Sequence, residues 1–243
     1  MRKIAAIISC LALLGACAEH DPILPGERTP IFTGNDFKML DSNVPNLPDE
    51  IAKITPADCP YTQDSENVIW DGDRKIFSGF PTKNSVASKQ TPVCSGNYVY
   101  AGLTTGELVK VNPKNRKIIW IADIFRASNM TGGASILDII APIVVRGNAV
   151  YAGGLGDAFC RIDATSGVIK WCDWIGTAVP FIVSENIAFV VGTDDYLYAI
   201  RTSDGAVYWR TAIETQSAPI YADKIITVGR QQINAETGEI ITK

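Results

Sequence analysis

The chain is almost without histidine. Of its 243 residues only His20 is one, and it lies in a proline-rich stretch near the N-terminus. Serine–histidine and cysteine–histidine nucleophile systems need a convergent imidazole, so neither is expected, and a solvated His20 is the simpler reading. None of the six cysteines forms a C-x-x-C pair, which removes the usual ligand spacing of a zinc site and of a thioredoxin-like dithiol. There is no basic run, and the formal net charge is −4, so nucleic acid is not an expected partner. No apolar run reaches the ~20 residues of a membrane-spanning helix. Asp157 and the pair Asp194-Asp195 fall in turn-like settings, where carboxylates are generally solvated. Neither a metal nor a cofactor is expected, and the chain reads as a non-enzyme.

The N-terminus carries a targeting signal. Arg2 and Lys3 precede an apolar run from Ile4 to Leu14, which closes Leu13-Leu14-Gly15-Ala16-Cys17. An aliphatic residue, two small residues and a cysteine resemble the lipobox of bacterial lipoproteins; the alternative is a plain secretory peptide. This makes 1–16 a lipoprotein signal peptide and Cys17 the lipidated residue, its acyl chains each adding about 0.8 kcal/mol per buried methylene. Ala18 stands where an aspartate favours the inner membrane, which points to the outer membrane, facing the periplasm. Residues 17–64 read as the lipidated N-terminus and a flexible tether, with Pro22, Pro25, Pro30, Pro45, Pro48, Pro56 and Pro60 and no sustained period.

Residues 65–243 read as one β-rich domain. Val68-Ile69-Trp70 and Lys75-Ile76-Phe77 flank Asp71-Gly72-Asp73-Arg74 as a hairpin. A repeated pattern follows: a Pro-led apolar run, a Gly-Asn or Glu-Asn turn, a strand ending in glycine, a third strand, a polar turn, and a fourth strand ending in tryptophan. It closes at Trp120, Trp171 and Trp209, a period of roughly 40 residues or more, typical of arrays whose units bury one another. A trimmed unit starts at Pro219 and has Thr242 where tryptophan is expected. The third and fourth strands are joined through Gly167 and Gly205 in two units, where a positive φ closes the turn. The first unit has Arg116 there, so its turn is expected to differ. The pattern predicts an all-β β-propeller of four-stranded blades, about four to five in number, in a reduced or incomplete ring. The three tryptophans are expected to pack between blades. The hairpin near Trp70 is a candidate to lend a missing strand to the trimmed last blade.

Four cysteines lie beyond the lipid site. Cys160 and Cys172 flank one turn, within one residue of the register it implies, which suits a cross-strand disulfide, against the alternative of two buried thiols. Cys59 and Cys94 are the pair left over.

The stretch from Ile162-Asp163 to Trp171 resembles the PQQ-type propeller repeat. Together with the lipobox, it makes the chain similar to the BamB family of propeller lipoproteins of the outer-membrane β-barrel assembly machinery. Members carry eight blades, more than this chain offers. The resemblance implies a non-catalytic, lipid-anchored scaffold. Its partners would be a BamA-like β-barrel assembly protein and unfolded outer-membrane clients, met through inter-blade loops. By position, the loop Thr211–Ala218 corresponds to the partner contact, which singles out Ile213, Glu214 and Gln216; the longest loop carries Met130-Thr131-Gly132-Gly133. Two other readings stay open: a degenerate PQQ-dependent quinoprotein dehydrogenase, and an adaptor of another envelope complex.

Overall fold

β-Branched and aromatic residues dominate the segments between the Gly-Asn and Asp-x-x-x-Gly turns, and such segments fit a pleated, half-buried surface. In the computed structural model they form, among the described residues, nineteen strands in five sheets. The structure describes residues 38–40, 42–51, 58–82, 85–86, 91–124 and 136–242. The expected signal peptide 1–16, Cys17, His20 and the loop Met130–Gly133 lie outside them.

The first sheet holds β1 (Thr62–Gln63), β2 (Val68–Asp71) and β3 (Arg74–Ser78). The second holds β4 (Val93–Ser95), β5 (Tyr98–Gly102), β6 (Glu107–Asn112) and β7 (Lys117–Asp123). The third is β8 (Val144–Arg146), β9 (Ala149–Gly154), β10 (Ala158–Asp163) and β11 (Ile169–Asp173). The fourth is β12 (Ile182–Val183), β13 (Ile187–Val191), β14 (Tyr196–Arg201) and β15 (Val207–Ala212). The fifth is β16 (Ile220–Ala222), β17 (Ile225–Val228), β18 (Gln231–Asn234) and β19 (Ile240–Thr242). Strands within each sheet pair antiparallel in chain order. These are propeller blades, four complete and one of three strands.

The trimmed last unit thus makes four strands of its own, and the hairpin near Trp70 belongs to the first sheet. Among the described residues the expected loan of a strand does not occur. Shortening falls in β18, four residues against six in β10 and β14, and in the turn before it, so the pairing survives.

One irregularity recurs in every sheet. The last two strands shift register between Ile69 and Trp70, Lys110 and Val111, Arg161 and Ile162, Ala199 and Ile200, and Gln232 and Ile233. A bulge kinks and twists a strand locally, and here it fixes which residue faces the neighbouring blade. Opposite the residue before each bulge stand Phe77, Trp120, Trp171, Trp209 and Thr242. The first sheet therefore contains the second, third and fourth strands of the repeat, with Phe77 in the tryptophan position.

Four apolar clusters lie between successive sheets. Ile69, Ile76 and Phe77 meet Val99, Ala101 and Val109; Tyr100, Leu108 and Trp120 meet Val150, Ala152 and Ile162. Tyr151 and Phe159 meet Ala188, Val190 and Ile200, and Phe189, Ala199 and Trp209 meet Ile226, Val228 and Ile233. Burying each such large side chain contributes about 1.5–3 kcal/mol. Among the described residues no cluster joins the fifth sheet to the first.

Residues 38–40 and 42–51, expected to belong to a mobile tether, are held against the last two sheets. The backbone of 38–40 runs parallel to the start of β15, with Val207 N–H donating to Lys38 O and Leu40 N–H to Val207 O. Val44 and Leu47 are buried in the cluster around Trp209, and Asp223 N–H donates to Asp49 O. Two apolar side chains and a row of backbone bonds offset the ordering entropy that a purely polar linker would not meet.

Candidate functional site

Antiparallel order sorts the connections onto two ends. Turns between first and second strands, and between third and fourth, share one end. Turns between second and third strands share the other end with the connections from sheet to sheet.

At the first end, each of the three tryptophans that close a repeat reaches forward into the next blade. Trp120 Nε1 donates to Ala164 O at 3.1 Å, Trp171 Nε1 to Thr202 O at 2.9 Å, and Trp209 Nε1 to Ala235 O at 3.2 Å. Each acceptor lies in the turn that closes the next blade's last hairpin, and that turn's glycine lies beneath the ring. A Cβ on Gly167 would come within 2.6 Å of Trp120, and one on Gly238 within 2.6 Å of Trp209. These glycines thus answer two demands, a φ of +75° and +76° and a flat ring overhead. Arg116 shows that the two demands separate. Its φ is +61°, so the turn keeps its handedness and does not differ as expected; the preceding blade offers Phe77 and no tryptophan ring.

The junction of the third and fourth sheets also carries a buried carboxyl. Burial, and then the charge of Asp204, push Asp173 up to about 7. Asp204 itself is held well below the usual carboxylate range, first by Arg201, which grips it with two bonds of 2.7 Å, and also by Lys38 at 3.0 Å. The structure joins Cys160 to Cys172, which face each other across β10 and β11. It also joins Cys59 to Cys94, which fastens the start of the first sheet to β4 in the second.

At the second end, the connections are bonded onto the turns beside them. Leu155 N–H donates to Asp138 O, Thr177 N–H to Gly154 O, Thr193 N–H to Gly176 O, and Ile213 N–H to Asp195 O. The Thr211–Ala218 loop is held the same way: Glu214 N–H donates to Gln231 Oε1 at 2.7 Å, and Gln216 Nε2 to Asp195 Oδ1 at 2.8 Å. Glu214 and Gln216 are exposed, whereas Ile213 is only 7% exposed and packs with Trp209 and Val228. Ile213 is therefore a core residue and not a presented apolar contact. Apolar surface appears elsewhere on this end: Phe80 is 79% exposed and Val86 57%. Both sit on the connection from β3 to β4, a stretch without periodic signal in the sequence. Asp157, in a second-to-third-strand turn, is raised by burial and then by Asp194; Asp194 accepts a bond from the Tyr198 hydroxyl. Among the described residues no group of three or more His, Cys, Asp or Glu is placed to hold a metal ion.

The family model described as outer membrane protein assembly factor BamB matches residues 59–211 and 174–240. The chain belongs to the BamB family. Its similarity to individual members is low. It is 24% identical to the Yersinia pestis outer membrane protein assembly factor BamB over 168 residues, which is 65% of this chain and 42% of that protein. Against the Escherichia coli K12 protein of the same name it is 23% identical, covering 65% of this chain and 43% of that protein. The chain thus spans well under half the length of these relatives. The crystal structure of BamB from Moraxella catarrhalis superposes with a TM-score of 0.51 at 13% identity, over 74% of this chain and 60% of that one; this likeness speaks to the fold.

Proposed function

We propose that the chain is a non-catalytic scaffold in outer-membrane β-barrel protein assembly. It is anchored through acyl chains on Cys17 to the outer membrane and faces the periplasm. The family match over the blade region carries this reading. The second end of the sheets supports it, because its connections are bonded into place and a partner would meet a preformed surface. Phe80 and Val86 offer apolar contact there, and Glu214 and Gln216 polar contact. The partner is a BamA-like barrel-assembly protein, with unfolded outer-membrane clients as further ligands.

Co-purification from detergent-solubilised outer membranes tests the proposal. The barrel-assembly protein should accompany the tagged chain, and Phe80→Asp should reduce its recovery without unfolding the blades. Recovery of the chain without that protein sinks the reading. Mass spectrometry of the mature N-terminus should find a triacylated Cys17, and an unmodified terminus would remove the anchor.

A further inference from the structure

The end of the sheets opposite the Glu214–Gln216 loop holds a cleft of about 360 Å³ between the third and fourth sheets. Its walls are the turn from β8 to β9, the neighbouring strands β10 and β11, and the turn from β12 to β13. Three cations line it, Arg146, Arg161 and Lys170, alongside Asp163 and Glu185.

The two carboxylates offset two of the three positive charges and leave one in excess. Asp163 is committed to its own turn: Oδ1 accepts bonds from Thr165 N–H and from the N–H and hydroxyl of Ser166, and Oδ2 accepts one from Asn148. Arg146 donates once, to Val183 O at 3.3 Å. Arg161 is different: its Nε is buried without a hydrogen-bond partner, and among the described residues it joins no ion pair.

The repeat makes this unusual. In the second sheet Lys110 occupies the matching position, opposite Trp120 as Arg161 is opposite Trp171. Lys110 Nζ donates to Ala164 O at 2.6 Å and lies 4.1 Å from the centre of the Tyr98 ring. One blade thus supplies partners for its cation, and the next leaves a guanidinium facing a cleft. The buried Nε, lacking an acceptor, costs the desolvation of one donor, while the half-buried side chain lines the cleft, where the guanidinium's other N–H groups can meet a carboxylate.

We propose that this cleft binds a carboxylate, held by Arg161 with Arg146 and Lys170 flanking it, and that its occupant is an acidic side chain on an extended segment of a protein partner. Glu185 and Asp163 at the wall keep the local excess of positive charge small, which suits a single negative charge better than a phosphate dianion. The site is on the opposite end from the Glu214–Gln216 loop, so both ends can be engaged at once, and it stands whether or not the barrel-assembly reading holds.

The test uses the full chain in nonionic detergent and the capped peptide acetyl-Ala-Glu-Ala-Ala-amide, whose side chain is its only carboxylate. Tryptophan fluorescence reports binding, because Trp171 pairs across the strands with Arg161. A saturable change is expected, at least ~10-fold weaker for the glutamine peptide and for Arg161→Gln. Should Arg161→Gln fail to fold, Arg146→Gln at the same cleft is read in its place and should weaken binding. Equal responses to both peptides, no response, or unchanged binding by the folded variant would overturn the proposal. So would inorganic phosphate binding more tightly than the glutamate peptide.

Discussion

The later blade junctions and the first are built differently. Three junctions carry a tryptophan on one blade and a glycine on the next, joined by an indole N–H bond to the turn carbonyl. The first has Phe77 and Arg116 in those places and a Cys59–Cys94 bridge beside them. An indole joins apolar area to a directed bond, so it fixes the spacing and rotation of neighbouring blades together. A phenyl ring supplies area alone, and at the first junction a covalent link stands nearby. The far face of the fifth sheet shows the same logic in reverse. Across the fourth sheet, Ile182, Phe189, Ala199 and Trp209 stand side by side in register; across the fifth, the matching row is Ile220, Thr227, Gln232 and Thr242. Three of those four positions are polar, as on the outer face of a capping repeat.

The largest test of this contrast is Trp209→Ala. Trp209 is 7% exposed, and removing such a ring costs about 3–5 kcal/mol, with the turn carbonyl of Ala235 losing its donor as well. Urea denaturation should show that loss. Thr242→Trp, the converse change on the capping face, should alter stability by less than about 0.5 kcal/mol, as a surface substitution does. Equal and opposite effects at the two sites would mean that the fifth sheet's face is not a cap.

Replacing both Cys59 and Cys94 with serine comes next, at about 2–4 kcal/mol for a disulfide. The loss should be local. Amide hydrogen exchange should quicken in β1 to β3 and stay as it was in β8 to β15, where the tryptophan contacts remain. Uniform quickening would show that the first junction is no weaker than the others.

Gly167→Ala tests the glycine half of the contact. The new Cβ meets the Trp120 ring and the φ of +75° disfavours it, for a cost of about 1–3 kcal/mol. Arg116→Gly relieves a left-handed residue that faces Phe77 and no tryptophan in the preceding blade, so the same turn should gain or lose less than about 1 kcal/mol.

The propeller fold was legible because each blade repeats one local pattern of strands, turns and a closing tryptophan. What the sequence hid crosses from one unit to the next. Gly167 looks like a turn residue and nothing more until Trp120 of the preceding blade is seen above it. Phe77 escaped notice as the tryptophan's counterpart because its hairpin turns tightly through Gly72 and Asp73, which breaks the spacing while the bulge keeps the register. Val44 and Leu47 sit among prolines and acids with no period, so their burial against Trp209 left no pattern to find. Ile213 reads as a loop residue by position, yet it closes the cluster between two blades. Arg161 drew no attention either, since a lone arginine in a strand becomes informative only beside the satisfied Lys110 of the blade before.

The smallest effect compares two junctions that both have tryptophan. Two residues after Trp209, Thr211 donates its hydroxyl to Gly238 O at 2.5 Å; two residues after Trp171 stands Asp173, beside Gly205. A protonated carboxyl can donate as that hydroxyl does, and an ionised one cannot. Burial, then Asp204, raise Asp173 from 3.8 to about 7. Between these values the folded chain keeps a proton that the unfolded chain has released. Stability from this group is therefore full below about pH 4, falls as pH rises through about 7, and is level above it. Asp157 is raised too, and Asp64 and Asp204 are lowered and act in the opposite sense, so the whole protein's profile is a composite. The difference between wild type and Asp173→Asn isolates the one group. Melting temperatures should match at pH 4, and the variant should be the more stable by a few degrees at pH 8, about 2–4 °C for each kcal/mol in a domain of this size. A variant that tracks the wild type from pH 4 to 8 would show that Asp173 is ionised throughout and that its junction bears no proton-dependent strain.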